Sequence, residues 1–321
     1  MSQVNETFAR HEARNFTHSI LLIGIMVLIC SALGWLMWGT LGLIMLAIFT
    51  VILMTLGPRI SPQFIFKMYR ARKLSDREAP ALLHIVQELS RRANLNQVPQ
   101  IYYLPSSMTN AFTVGTKHNA AIGLTDGLIR NLTTRELTGV LAHEVSHAAS
   151  NDLWVMGLAD MVSQLVRAMS WIGLLLLLIH LPMFMLGLTQ IPWLFILLLI
   201  VAPNLTVLLQ LALSRTREYD ADLDAVKLTG DPRGLAMGLA KLEKLQGGLI
   251  ERILFPGRRV PEPSVLRTHP ITEDRIHRLL ELESAITDKP LNEDDRLLKG
   301  LDWTSHPSIR SPRWHVSGFW Y

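Results

Sequence analysis

Between Ser19 and Pro58 the chain carries no Asp, Glu, Lys, Arg or His, and that interval is the first constraint on its fold. A helix needs about 20 apolar residues to cross a bilayer, so the stretch has room for two spans, approximately 20–38 and 41–56. Gly39, Thr40 and Gly42 offer a tight connection between them. Glu6 and Glu12 precede the run, and no small-residue cleavage site leads into a polar mature start, so it reads as retained rather than as a signal peptide. A second apolar interval, 168–214, contains one ionisable residue, His180. It has room for spans at about 169–188 and 192–213, with Pro182 and Pro192 marking its middle. Pro182 predicts a turn there, which puts His180 at a helix end facing water.

These two intervals account for the unusual composition. Charged residues make up 18% of the chain and hydrophobic residues 49%, against about 25% charged in an ordinary soluble domain. The net charge is +4, but the basic residues flank the apolar runs: Arg59, Lys67, Arg70, Arg72 and Lys73, then Arg167, then Arg215 and Arg217. A nucleic-acid partner would want them gathered on one face among aromatics, so none is expected. Flanking charges instead set topology. Two hairpins return the chain to the side it left, and the positive-inside rule makes that side cytoplasmic. The lipid bilayer is thus one partner, and a multi-pass membrane protein with cytoplasmic polar segments is expected. The single cysteine, Cys30, excludes an internal disulfide and a cysteine-rich zinc site. Any metal must be held by His and carboxylates.

The polar segments should then fold together. Residues 79–93 place Leu82, Leu83, Val86 and Leu89 at helical spacing. Residues 98–104 are β-rich. Residues 111–116 and 120–125 flank Lys117-His118-Asn119 as a three-residue hairpin signal. Thr133 followed by Glu136 is a capping-box pattern, opening a helix that carries His143 and His147.

His143-Glu144-Val145-Ser146-His147 is an HExxH motif. Helical residues four apart share a face, so both imidazoles can converge on one metal ion with Glu144 beside its open position. Zinc suits imidazole, and a catalytic zinc site keeps three protein ligands plus water. Glu144 is then placed to act as general base. Val140, Leu141, Ala142, Val145, Ala148 and Ala149 make the helix apolar, and polar groups on a buried helix need partners. Spacing alone leaves the third ligand open among Glu136, Glu218 and Glu243. Glu218 and Asp222 lie four apart where the second apolar interval ends, and the small Ala221 and Ala225 permit close helix approach.

HEVSH, followed after a hydrophobic hairpin by SRTREYDAD, resembles the HtpX family of membrane-integrated zinc metalloproteases, relatives of the CAAX prenyl-protein endopeptidases. The resemblance covers approximately residues 59–285. It implies a mainly α fold with a small β-sheet, a zincin-type metalloprotease domain integrated in the membrane by two transmembrane helical hairpins. It also implies one Zn2+ per subunit, held by His143, His147 and Glu218. Glu144 would be the catalytic base, and Asp222 would orient a ligating imidazole. Asn110, Ala111 and Phe112 resemble the family's strand beside the substrate, where an extended peptide can add to a sheet edge. Thr268-His269-Pro270, followed by Arg275, resembles a downstream family motif, which makes His269 a candidate donor to the developing oxyanion. His306-Pro307 is a second such pair, but the helical stretch 272–282 favours His269.

The expected divisions are therefore a polar arm at 1–17, a first hairpin at 18–58, and catalytic parts at 59–167 and 215–288. A second hairpin lies between the catalytic parts at 168–214, and an aromatic tail runs from 289 to 321. The tail, with Trp303, Trp314, Trp320 and Tyr321, suits either a membrane interface or the catalytic domain. The expected activity is hydrolysis of membrane or membrane-associated proteins, as the family does in quality control. Two alternatives are a silent scaffold with a structural zinc, disfavoured by an intact Glu144, and a metal-sensing transporter, disfavoured by spans almost free of charge.

Overall fold

The structure, a computed structural model, describes residues 2–56, 61–188, 193–246 and 272–283. Its elements are α1 (Ser2–Trp38), α2 (Thr40–Leu56), α3 (Pro62–Met68), β1 (Arg72–Lys73), α4 (Pro80–Arg92), β2 (Gln100–Leu104), β3 (Ala111–Val114), β4 (Ala121–Thr125), α5 (Asp126–Asn131), α6 (Thr134–Ala149), α7 (Asp152–Met185), α8 (Trp193–Thr229), α9 (Pro232–Gln246) and α10 (Thr272–Glu283). The fold is mainly helical with one small sheet, as expected. The chain forms two compact units, one of residues 10–58 and 154–217, the other of 1–9, 59–153 and 218–321.

Among the described residues, three helices are long and apolar enough to cross a membrane: Phe16–Trp38, Asp152–Met185 and Phe195–Thr229. The expected fourth span is α2, at 17 residues. At about 1.5 Å per residue that is roughly 26 Å, at the short end for a core of about 30 Å. Gly39 takes a left-handed φ of 61° at the connection, donating to the Trp35 carbonyl at 2.7 Å. The two helices then meet at glycines. A Cβ on Gly42 would lie 2.0 Å from the Gly34 carbonyl oxygen, a separation that no side chain tolerates. Ile29, Cys30 and Leu33 of α1 pack with Val166 and Met169 of α7 and Leu199 and Ala202 of α8. The buried Asp160 carboxylate accepts from Gln164 at 2.7 Å and from Gln210 of α8 at 3.3 Å, so its burial is compensated.

The turn expected at Pro182 lies inside α7 instead. A proline this near a helix end removes one ladder bond, and the helix runs on to Met185 before Gly187, at φ 72°, closes it. His180 is exposed on that helix and bonds back to the Leu176 carbonyl at 2.8 Å. Because α7 begins at Asp152, the divide between units falls at 153/154 rather than at 167/168. The second divide falls at 217/218 rather than at 214/215.

The other unit holds the sheet, in order β1-β2-β4-β3. β2 and β4 run parallel; β3 and β4 are antiparallel, with Ala111 opposite Leu124 and Val114 opposite Ala121. The β3–β4 connection is longer than the three residues expected, since the strands stop at Val114 and resume at Ala121. Strand periodicity divides the side chains. Ala111, Ile122, Leu124, Ile101 and Tyr103 join α4, α6 and α9 in the main core. Tyr102, Leu104, Val114 and Ala121 pack with Phe66 of α3 on the opposite face, where Phe66 stacks on Tyr102 at 4.1 Å. The capping box forms as predicted, with Thr133 accepting from the Glu136 N–H and Glu136 from the Thr133 N–H. Helix α6 runs through this core, and Gly139 lets the Leu235 backbone of α9 approach to where a Cβ would stand 2.8 Å away.

Replacing Gly42 with Val should force α1 and α2 apart and cost about 1–3 kcal/mol, read as a lower Tm in detergent. Gly24→Ala, at a position where a Cβ meets nothing within 4 Å, should leave Tm unchanged or higher.

Candidate metal centre

Val140, Leu141, Ala142, Val145 and Ala148 anchor α6 in the core, and this fixes where its polar face points. His143 and Glu144 are buried with it. One turn on, the His147 side chain is 13% exposed. The helix α8 brings Glu218 against them, and the approach is tight because Ser146 Oγ reaches the Ala221 carbonyl at 3.0 Å. The small residue expected to permit close contact is therefore at the contact.

The three ligand atoms converge. His143 Nε2 and His147 Nε2 are 3.1 Å apart, His143 Nε2 and Glu218 Oε2 3.2 Å, and His147 Nε2 and Glu218 Oε1 3.6 Å. A tetrahedral zinc with bonds of about 2.0–2.1 Å sets neighbouring ligands about 3.4 Å apart. The donor set and its spacing fit that ion. Among the described residues, His143, His147 and Glu218 are the one cluster of this kind.

Each imidazole turns its other nitrogen to a carboxylate: His143 Nδ1 lies 3.0 Å from Asp222 Oδ1, and His147 Nδ1 lies 2.9 Å from Asp152 Oδ2. Such partners leave Nε2 free as a ligand and fix the ring plane. Asp222 is the acid that the resemblance sets beside a ligating imidazole. Asp152 did not figure in the sequence reading. It is buried and opens α7 directly after Asn151, whose left-handed φ of 57° separates α6 from α7. An acid following a turn-forming Asn soon after the second histidine was the available signal.

Arg275 of α10 completes the centre. It is 1% exposed and clasps Asp222 through Nε at 2.7 Å and Nη2 at 2.6 Å, while its Nη1 lies 2.9 Å from Glu218 Oε2. Arg278, one turn further, lies 3.8 Å over the Tyr219 ring. In the sequence Arg275 was only the end of the downstream motif; His269, the candidate in that motif, lies outside the described residues, as does the tail.

The charges are strongly coupled. Burial works against the Arg275 cation, but Asp222 and Glu218 outweigh it and hold the guanidinium above its usual range. Burial raises the Asp222 carboxyl, yet Arg275 and His143 bring it below its usual value. For His143 and His147 burial favours the neutral ring, and the facing carboxylates more than reverse this. The pocket thus attracts positive charge.

Glu144 points from the same helix and accepts from Thr113 Oγ1 at 2.6 Å. Thr113 belongs to β3, an edge strand of the sheet, so strand and base are in contact. Of the three strand residues named from the resemblance, Asn110 is tied to Thr125 through its N–H at 2.9 Å. Ala111 is buried in the core, and Phe112 packs on Phe66 and Tyr69. Ala111 and Phe112 lie on the strand that touches Glu144, and Asn110 directly precedes it.

Removing the Asp152 carboxylate should loosen the His147 ring. Asp152→Ala is expected to weaken zinc binding by about 10- to 100-fold, measured by competition with a chromophoric chelator.

Known proteins resemble the chain over most of its length. The model of Peptidase family M48 matches residues 76–283. The chain is 33% identical over 294 residues to a Protease HtpX homolog from Acaryochloris marina, covering 84% of this chain and 95% of that one. It is 37% identical over 238 residues to one from Pseudarthrobacter chlorophenolicus, covering 68% and 78%. For one from Burkholderia ambifaria the figures are 29% over 286 residues, 84% and 97%. Among solved structures, the crystal structure of S. mikatae Ste24p is similar with a TM-score of 0.43 at 20% identity, over 87% of this chain and 67% of that one.

Proposed function

Because the chain belongs to peptidase family M48, we propose that it is a membrane-bound zinc metalloendopeptidase that hydrolyses peptide bonds of membrane or membrane-associated proteins in quality control. The observation that carries this reading is the convergence of His143, His147 and Glu218 at zinc-ligand spacing, with Glu144 on the same helix. The relatives' shared name, Protease HtpX homolog, supports the same activity.

His143, His147 and Glu218 would hold one Zn2+. When bound, that ion supplies Lewis acidity, acidifying water and polarising a peptide carbonyl. The protein does the rest. Asp152 and Asp222 keep the imidazoles oriented, and Arg275 pairs with Glu218 and holds the Asp222 carboxyl below its usual range. Glu144 accepts the proton of the attacking water and returns it to the leaving amine nitrogen as the C–N bond breaks. A substrate strand would lie along β3, with main-chain hydrogen bonds giving affinity without strict sequence demand. The basic residues flanking the apolar helices support a cytoplasmic catalytic unit.

Purified Glu144→Gln should retain about one zinc per chain and lose casein cleavage in detergent, whereas Glu218→Ala should lose both. Cleavage by Glu144→Gln at the wild-type rate would refute the assignment of Glu144 as the base. For topology, a cytoplasm-active reporter fused at the C-terminus should score, and a signal from the opposite compartment would reverse the orientation.

A further inference from the structure

We propose that Thr113 is a positioning residue for the general base: its hydroxyl fixes the Glu144 carboxylate and links that orientation to the strand that receives substrate. The proposal rests on the reading of Glu144 as base, but the contact behind it is independent of any metal. Thr113 Oγ1 has one proton and two acceptors in reach, Glu144 Oε2 at 2.6 Å and the Glu144 carbonyl at 3.1 Å. The carboxylate is the shorter and charged partner, so it takes the proton. Thr113 is 3% exposed and Glu144 3% exposed, so bulk water does not compete. A carboxyl on the two-carbon stem of Glu has several rotamers, and this bond selects one of them.

The strand geometry gives the bond its second role. Asn110 is bonded to Thr125, its carbonyl accepting the Thr125 N–H at 3.1 Å, and β3 continues antiparallel to β4. In such a ladder the main-chain groups of successive residues alternate in direction. Those of Phe112 and Val114 therefore face β4, and those of Ala111 and Thr113 face the other way. A peptide strand adding to β3 would pair with the main chain of Ala111 and Thr113. The residue that meets substrate through its backbone thus holds the base through its side chain. A displacement of the strand becomes a displacement of the proton acceptor.

The test compares Thr113→Val, which keeps the β-branched shape without the hydroxyl, with Thr113→Ser, which keeps the hydroxyl. Zinc content and Tm serve as controls. Val should lower kcat between about tenfold and about a hundredfold with KM and zinc content unchanged, and Ser should recover most of the loss. Crystal structures of the zinc-loaded forms provide a readout apart from turnover: Glu144 in one orientation in wild type and Ser, turned or divided in Val. An unchanged Glu144 orientation in Val would overturn the proposal, as would unchanged kcat or a loss confined to KM. If Val proves too unstable to assay, a Ser variant with a displaced Glu144 would equally overturn it. A wild type that cleaves nothing, with Glu144 still turned in Val, would sink the protease reading and leave the positioning role standing.

Discussion

Everything around the HExxH helix depends on neutralising buried charge. Glu144, Asp152, Glu218 and Asp222 are buried together, with Arg275 their buried cation. When ionised, four carboxylates exceed one guanidinium by three charges in a place where each isolated charge costs several kcal/mol. The facing carboxylates therefore push His143 and His147 toward the charged form, and a divalent ion held by neutral rings would supply the same two positive charges. Arg275 divides the labour: it holds Asp222 bidentately and Glu218 by one arm, and a fork of fixed geometry suits that task where a lysine would not.

Two kinds of packing deliver these groups. The core of the catalytic unit fixes the rotation of α6, because one face of that helix is committed to Leu137, Leu141 and Val145. Small residues fix distances: Gly139 admits α9, and Ala221 admits Ser146. The ligands meet because backbones can come close, and the same device recurs in the apolar unit at Gly34 and Gly42.

What the sequence revealed follows from the range of each interaction. His143, Glu144 and His147 were legible because helical spacing alone puts two residues four apart on one face. The Thr133–Glu136 box was legible for the same local reason. Glu218 was not, since a hydrophobic hairpin intervenes and spacing could not separate it from Glu136 or Glu243. Glu136 in fact serves the cap and pairs with Lys241 at 3.1 Å. It took the resemblance to single out Glu218. Asp152 was missed although an acid follows a turn-forming Asn there, and Arg275 was named only as the end of the downstream motif, because a buried guanidinium has no local signature. Hydropathy free of charges begins at 168, whereas α7 begins at Asp152 and carries Asp152, Asp160 and Arg167 in its first half.

The anchoring of α6 at both ends has a consequence for how such a chain can vary. At its start the helix is held by the Thr133–Glu136 box and by Arg135 against Asp231; at its finish Ser146 is bonded across to Ala221 and His147 to Asp152. One inserted or deleted residue would turn everything beyond it by about 100° and swing both imidazoles off Glu218. Substitutions along this helix away from His143, Glu144 and His147 can be absorbed one at a time, but a change of length cannot. The stretch from Thr133 to Asp152 behaves as a ruler, and lineages descending from this chain should lengthen and shorten everywhere except there.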